Sequence, residues 1–288
     1  MTRTNPDALA STDWLHEHLR APDVRIVDAS YYLPSEGVDA RTEFETQHIP
    51  GAVFFDIDEI ADSASELPHM MPPPEKFSAK VRKLGLGDGS RIVIYDQRGI
   101  FSAPRVWWMF RAMGHTDVAV LDGGLPKWLD ESKPVEDGKG RAGEERHFTA
   151  RFDNTMLRDR EQVSREVTRQ KEQIVDVRAP ERFAGEVAEP REGLRAGHIP
   201  GSLNLPFTQL LNADGRTMKA PEELQRLLGE AAIDPKRPVV TSCGSGVTAA
   251  VLNLALHVAG YRDVALYDGS WTDWGREALN MPVETGRG

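Results

Sequence analysis

Cys243 is the single cysteine in a chain of 288 residues, and it opens the loop Cys243-Gly244-Ser245-Gly246-Val247-Thr248. Ahead of it stands Arg237-Pro238-Val239-Val240-Thr241-Ser242, short and rich in β-branched residues, which predicts a buried strand. Behind it, an apolar run from about Val247 through Leu252, Leu254 and Leu256 to a stop at Gly260 predicts a helix. A sulfur placed where a strand hands over to a helix N-terminus faces unpaired backbone N–H groups and the positive end of the helix dipole. Such surroundings favour thiolate over thiol, so the residue reads as a nucleophile whose loop can hold a second negative atom. Gly244 and Gly246 allow the backbone to close around that atom. The competing reading is an inert core cysteine, which needs neither flanking glycines nor a helix start.

Two other groups of residues could act with this thiol. Arg182, Arg191 and Arg195 stand in or beside a polar stretch, Ala184 to Gly197, and a guanidinium fork suits a carboxylate bidentately. The same arginines could instead pair with Glu186, Glu189 and Glu192 on a solvated loop. Earlier in the chain, Asp56-Ile57-Asp58 is followed by His69; an Asp orienting a His that faces a hydroxyl or thiol is the usual relay for activating a nucleophile. An Asp and a His eleven residues apart are also common on exposed loops, so this pair gains meaning only if the fold brings it to Cys243.

The elements that position these groups come from an internal repeat. Ile26-Val27-Asp28 recurs as Ile174-Val175-Asp176, and His48-Ile49-Pro50-Gly51 as His198-Ile199-Pro200-Gly201. Ile92 to Asp96 recurs as Val239 to Cys243, and Asp117 to Gly123 as Asp263 to Gly269. Short buried-type strands alternate in each copy with helical stretches such as Pro221 to Leu228. That alternation predicts an α/β fold of two tandem domains, each a mainly parallel sheet flanked by helices on both faces. Ligands in such sheets gather at the carboxyl ends of the strands, where Cys243 stands. Boundaries are expected at 1–131 for the first domain, which carries Asp58 and His69, at 132–157 for a charged, solvated linker, and at 158–288 for the second.

A repeat is its own control: what both copies keep is fold, and what one copy alone has is a candidate for function. His48 and His198 resemble catalytic histidines, yet both copies have them, including the one that offers Asp96 in place of the thiol. They read as turn-forming residues, and Asp122-Gly123, Asp268-Gly269, Trp128 and Trp274 as packing and turn chemistry. Cys243 is specific to the second copy. So is a longer segment between Phe183 and His198, whose counterparts Phe44 and His48 are four residues apart.

Composition narrows the function classes. A net charge of −10 gives no concentrated positive field for nucleic acid or an anionic membrane, so any anionic substrate must be gripped by local arginines. No run approaches the ~18 apolar residues of a membrane span, and the N-terminus shows no export signal. One cysteine cannot form an internal disulfide, which suits a reducing cytoplasm and leaves no resolving thiol in the chain. No metal-ligand spacing is visible among the eight histidines, and no cofactor is expected.

Phe44 with His48-Ile49-Pro50-Gly51-Ala52, the Cys243 to Ala249 loop, and Tyr267-Asp268-Gly269-Ser270-Trp271 together resemble the tandem-domain rhodanese-type sulfurtransferases over nearly the whole chain. The resemblance implies two rhodanese-like domains, the second carrying the cysteine and the first an acidic residue in its place, here Asp96. By the same resemblance Cys243 matches the sulfur-accepting nucleophile, and Ser245, His69 and Asp58 match a proposed Ser-His-Asp relay. Arg182 and Arg191 match the pair that binds a substrate carboxylate, while Gly244, Gly246, Val247 and Thr248 complete the binding loop.

Thiosulfate-using members typically have basic side chains straight after the cysteine, and here Gly244 and Ser245 are neutral. The implied donor is therefore 3-mercaptopyruvate, with thiosulfate as the alternative and a persulfide carrier without turnover as a third reading. The acceptor would be an external thiol such as thioredoxin. A related phosphatase loop would need arginine at 249, where this chain has Ala249. Two departures are small: Asp273 replaces the usual glutamate, and Phe101 a pocket tyrosine.

Overall fold

The computed structural model describes residues 7–140 and 143–286. The chain divides into two compact units, one of residues 7–62, 72–152 and 212–218 with the exception of the two undescribed positions, the other of 63–71, 153–211 and 219–286. Each unit thus takes in a short segment from the other half of the sequence.

Unit 1 contains the strands β1 (Leu9–Ala10), β2 (Val24–Asp28), β3 (Ala52–Phe54), β4 (Arg91–Tyr95) and β5 (Val118–Leu121). Its helices are α1 (Thr12–His18), α2 (Ala40–Thr46), α3 (Ile57–Ile60), α4 (Pro74–Lys83), α5 (Ala103–Ala112) and α6 (Gly124–Asp130). The strands run in the order β1-β5-β4-β2-β3, and every pair is parallel. Side chains alternate across the sheet: Ile26, Val93, Tyr95, Ala119 and Leu121 join Leu15, Phe44 and Trp128 in one apolar cluster. On α5 nearly every residue is buried, which explains an apolar run with no polar face.

Unit 2 repeats the plan with β6 (Leu157–Arg158), β7 (Gln173–Asp176), β8 (Leu203–Asn204), β9 (Val239–Ser242) and β10 (Val264–Tyr267), in the order β6-β10-β9-β7-β8 and again parallel throughout. Its helices are α7 (Arg160–Arg169), α8 (Pro180–Phe183), α9 (Pro221–Glu230), α10 (Ala249–Val258) and α11 (Ser270–Trp274). Helix α10, expected from about Val247, begins two residues later, which lengthens the loop after Cys243. No described helix is long and apolar enough to cross a membrane.

The features shared by the two copies are structural, as the repeat predicts. His48 Nδ1 lies 2.8 Å from the Phe44 carbonyl and its ring stacks on Phe44; His198 does the same with Phe183 at 2.8 Å. Because Phe183 and His198 keep this contact although fifteen residues apart, the extra segment of copy two leaves the framework and returns to it. Trp128 and Trp274 each donate an indole N–H to the carbonyl of a following proline, Pro134 and Pro282. Asp122 and Asp268 do more than shape turns. The Asp122 carboxylate accepts the Met218 N–H at 2.8 Å inside unit 1, and Asp268 accepts the Met71 N–H at 2.6 Å inside unit 2, each fastening one of the short adopted segments. Of the stretch expected as a linker, the described residues up to 152 belong to unit 1, where Glu136 exchanges both backbone hydrogen bonds with His48 and Phe148 is buried, and 153–157 belong to unit 2.

The matching aspartates at the ends of β2 and β7 have different surroundings. Asp176 is held by the Arg178 guanidinium, itself buried. Asp28, fully buried, has Ser30 at the position of that arginine, and desolvation pushes its carboxyl up to about 6 despite hydrogen bonds from Ser30 and Tyr95. A carboxyl whose folded value lies above its unfolded one favours the folded state fully below the unfolded value near 4. That advantage is lost as pH rises through about 6. Asp28→Asn should therefore be neutral in stability near pH 4 and stabilising by ~1–3 kcal/mol at pH 8. Melting temperatures of both proteins across that range check this, and equal curves at pH 8 would show that Asp28 carries no burial penalty.

Candidate active site

Cys243 follows the last residue of β9, with its side chain 1% exposed. Its Sγ accepts the N–H of Gly246 at 3.1 Å, so the loop already turns one donor onto the sulfur. Gly246 sits at φ +80°, a left-handed conformation that a side chain would strain. At Gly244 a Cβ would stand 3.2 Å from Nη2 of Arg182, close enough that the guanidinium would have to shift slightly. The guanidinium of Arg182 therefore lies directly against the peptide that follows Cys243. Ser245 and Val247 are buried, and Thr248 precedes α10 without a side-chain capping bond.

Arg182, on α8, is held by Glu189 of the extra segment, which accepts from its Nε at 3.2 Å and from its Nη2. Glu189 also accepts from Arg178 at 2.8 Å, and Arg178 in turn grips Asp176 at the end of β7. Charges alternate along this chain, and three of its four side chains are almost fully buried; Arg182, at 26% exposure, is the end that solvent reaches. A buried ion pair stands only when each charge is paired and hydrogen-bonded, as here. Arg182 thus pairs with a glutamate of the segment through Nε and Nη2, and its Nη2 and Nη1 are the atoms nearest Gly244.

Arg195 is structural, donating to the carbonyls of Trp274, Gly275 and Met281. Arg191 lines a cavity of about 510 Å³ in unit 2 together with Leu67, Pro68, Leu194 and Arg276. His69, next to Pro68, belongs to the segment that unit 2 adopts, is buried, and has φ +62°, a strained value for a non-glycine residue. Unit 2 thus brings Cys243, Ser245, the loop glycines, Arg182, Arg191 and His69 into one body. Asp58 lies in the first turn of α3 in unit 1, its N–H accepted by the Asp56 cap.

The corresponding loop of unit 1 reveals what this turn is built to surround. Asp96 occupies the position of Cys243, and one of its carboxylate oxygens accepts three backbone N–H groups, from Phe101 at 2.8 Å, Ser102 at 2.9 Å and Ala103 at 2.9 Å. Its other oxygen accepts the N–H of Arg98 at 2.9 Å. Counted from the backbone, a carboxylate oxygen is the third side-chain atom, the place that the outer sulfur of a persulfide would take on a cysteine. Unit 1 therefore carries a carboxylate oxygen in its cradle, whereas in unit 2 the side chain stops one atom short.

Sequence reasoning named Glu189 as one of three carboxylates that the arginines could pair with, without singling it out, and missed Arg178 altogether. Comparing the copies could have found Arg178, since the shared Asp-x-Ser of copy one becomes Asp-x-Arg in copy two. Asp273, a departure at the sequence level, accepts the Tyr267 hydroxyl at 2.8 Å and pairs with Arg160, a packing role in which its acidic group is satisfied. Burial and that carboxylate raise the Tyr267 hydroxyl above its usual range.

The model of the rhodanese-like domain matches the chain twice, at residues 11–131 and 159–277. The chain is 45% identical over 288 residues to 3-mercaptopyruvate sulfurtransferase of Homo sapiens, with 98% of this chain and 96% of that protein covered. It is 43% identical to thiosulfate sulfurtransferase of Gallus gallus, covering 93% of each. The crystal structure of a 3-mercaptopyruvate sulfurtransferase from Escherichia coli superposes with a TM-score of 0.84 at 39% identity, over 92% of this chain and 99% of that one.

Asp96→Asn retains one acceptor oxygen but turns an amide N–H₂ toward backbone donors. The expected result is a loss of ~1.5–3 kcal/mol in stability, read from the melting curve. The alkylation rate of Cys243 should stay as it is in the parent protein. A stable variant would mean that the three N–H contacts carry no weight.

Proposed function

The chain belongs to the rhodanese family, and from that premise we propose that it is a sulfurtransferase that takes the sulfur of 3-mercaptopyruvate onto Cys243 and passes it to an external thiol, releasing pyruvate. The observation that carries this reading is the Arg182 guanidinium lying against neutral Gly244 beside Cys243. Thiosulfate is a small dianion without a remote handle, and a loop that grips it needs cations of its own. Mercaptopyruvate offers a carboxylate, which a fork set one residue away from the sulfur can hold while the thiol reaches Cys243.

The chemistry follows from that placement. The Cys243 thiolate attacks the substrate sulfur, the C–S bond breaks, and the electron pair leaves on pyruvate as its enolate. The enolate gains a proton on carbon, for which Ser245 and His69 are the donors in unit 2; the resemblance adds Asp58 behind His69. The new persulfide loses the proton that the substrate thiol brought, so charge and protons balance over the half-reaction. Its outer sulfur then has the same reach as the Asp96 oxygen, and backbone N–H groups of the loop stabilise it in the way that the first unit stabilises its carboxylate. Because the chain has one cysteine, discharge needs another molecule: an acceptor thiolate takes the outer sulfur and restores the Cys243 thiolate. Thioredoxin, as a dithiol, can then release sulfide by closing its own disulfide. A chain with a single, buried thiol suits a reducing cytoplasm.

The 43% identity to a thiosulfate sulfurtransferase favours thiosulfate as the second reading. Comparison of kcat/KM for the two donors decides between them, and a higher value with thiosulfate would displace mercaptopyruvate. Cys243→Ala should abolish pyruvate release. Glu189→Gln, which removes the carboxylate that orients Arg182, should raise KM for mercaptopyruvate about tenfold and lower kcat less. An unchanged KM would remove Arg182 from the carboxylate site. A carrier without turnover would instead gain the mass of one sulfur only when a donor protein is supplied.

A further inference from the structure

Ser270 is the residue at which the two copies of the repeat make opposite choices about backbone strain. In unit 1 the residue after Asp122-Gly123 is Gly124, at φ +54°, and a Cβ there would come within 2.4 Å of the Asp96 carbonyl oxygen. Glycine is what that backbone requires. In unit 2 the equivalent residue is Ser270, fully buried and at φ +46°, so a side chain is retained in a conformation that disfavours one. Its hydroxyl donates to the Tyr267 carbonyl at 2.8 Å and accepts the N–H of Cys243 itself at 3.2 Å. The next two residues complete the contact: Trp271 N–H donates to the Cys243 carbonyl at 3.0 Å, and Thr272 N–H to the Gly244 carbonyl at 2.8 Å. The carbonyl clamp exists in unit 1 as well, where Leu125 N–H meets the Asp96 carbonyl at 3.1 Å. The hydroxyl is the addition, and it is found on the copy that carries the thiol.

We propose that Ser270 is a positioning residue for Cys243: its hydroxyl fixes the Cys243 N–H and thereby aims Sγ at the Gly246 N–H. This rests on the reading of Cys243 as the sulfur-accepting nucleophile. The strain is tolerated because the hydroxyl bonds on both sides, to the end of β10 and to the peptide that leads out of β9. Without it the Cys243 peptide can rock, the sulfur leaves the Gly246 donor, and the loop no longer presents a thiolate at one fixed place. The Ser270 hydroxyl bonds to Tyr267 and Cys243, and the Arg182 side chain to Glu189, so carboxylate binding should be spared.

The test is Ser270→Gly, the choice unit 1 already makes, beside Ser270→Ala, which keeps the strain without the hydroxyl. Melting temperature should be retained in the glycine variant and lowered in the alanine variant. Both should lose about tenfold in kcat with mercaptopyruvate while KM stays within twofold. Iodoacetamide alkylation of Cys243 at pH 7 should slow by a similar factor; a merely loosened fold would speed it by exposing the sulfur. Parental kcat and alkylation in Ser270→Gly would overturn the proposal, as would faster alkylation or a glycine variant that fails to fold. Cys243→Ser, run alongside, separates the two ideas. Turnover in that variant would refute the nucleophile, whereas alkylation of the lone thiol still reports on Ser270.

Discussion

Everything distinctive in this molecule depends on a turn of backbone N–H groups at the carboxyl end of a central parallel strand, which is stable when it surrounds a negative charge. Unit 1 fills that turn with Asp96, one of whose carboxylate oxygens accepts three N–H groups. Unit 2 supplies only a sulfur atom with one N–H upon it and leaves the remaining reach for an atom acquired in the reaction. The same fold therefore carries two different loops at this strand end, one closed around the Asp96 carboxylate and one that ends at the Cys243 sulfur. Neither requires a positively charged residue in the loop, because oriented peptide groups provide the field.

Arg182 reaches the cysteine loop from α8, at the outer end of a chain of alternating charges that runs back through Glu189 and Arg178 to Asp176. Held from behind by the Glu189 carboxylate, the guanidinium keeps one orientation. The extra segment of the second copy is what delivers Glu189. Its excursion between Phe183 and His198 adds function without disturbing the framework, since the Phe–His stack on which it is mounted is the same as in unit 1.

Comparison of the copies also shows where each tolerates a cost. Asp176 is compensated by an arginine, while Asp28 is buried with hydroxyl and amide partners alone and resists ionisation. Ser270 holds a left-handed conformation that Gly124 adopts freely. The first cost lies in the idle copy and has no chemical return within its loop, whereas the second is spent on the Cys243 peptide.

Much of this was legible in the sequence. Strand and helix periods, the repeat and its one unmatched cysteine are local patterns, and local patterns follow from the alternation of side chains along a strand and the pitch of a helix. They predicted the parallel sheets, the structural histidines and the position of the thiol. Which charges pair was not legible: Glu186, Glu189 and Glu192 are equivalent as letters, and only the return path of the segment buries Glu189 against two arginines. Nor could spacing show that residues 63–71, with His69, join the unit built mainly from the second half of the chain, because that depends on Asp268 accepting a distant N–H. The sequence by itself determined the chemistry available and the strand end at which it stands. The tertiary structure decided which groups surround it, since burial and hydrogen-bond geometry select one partner among several of the same type.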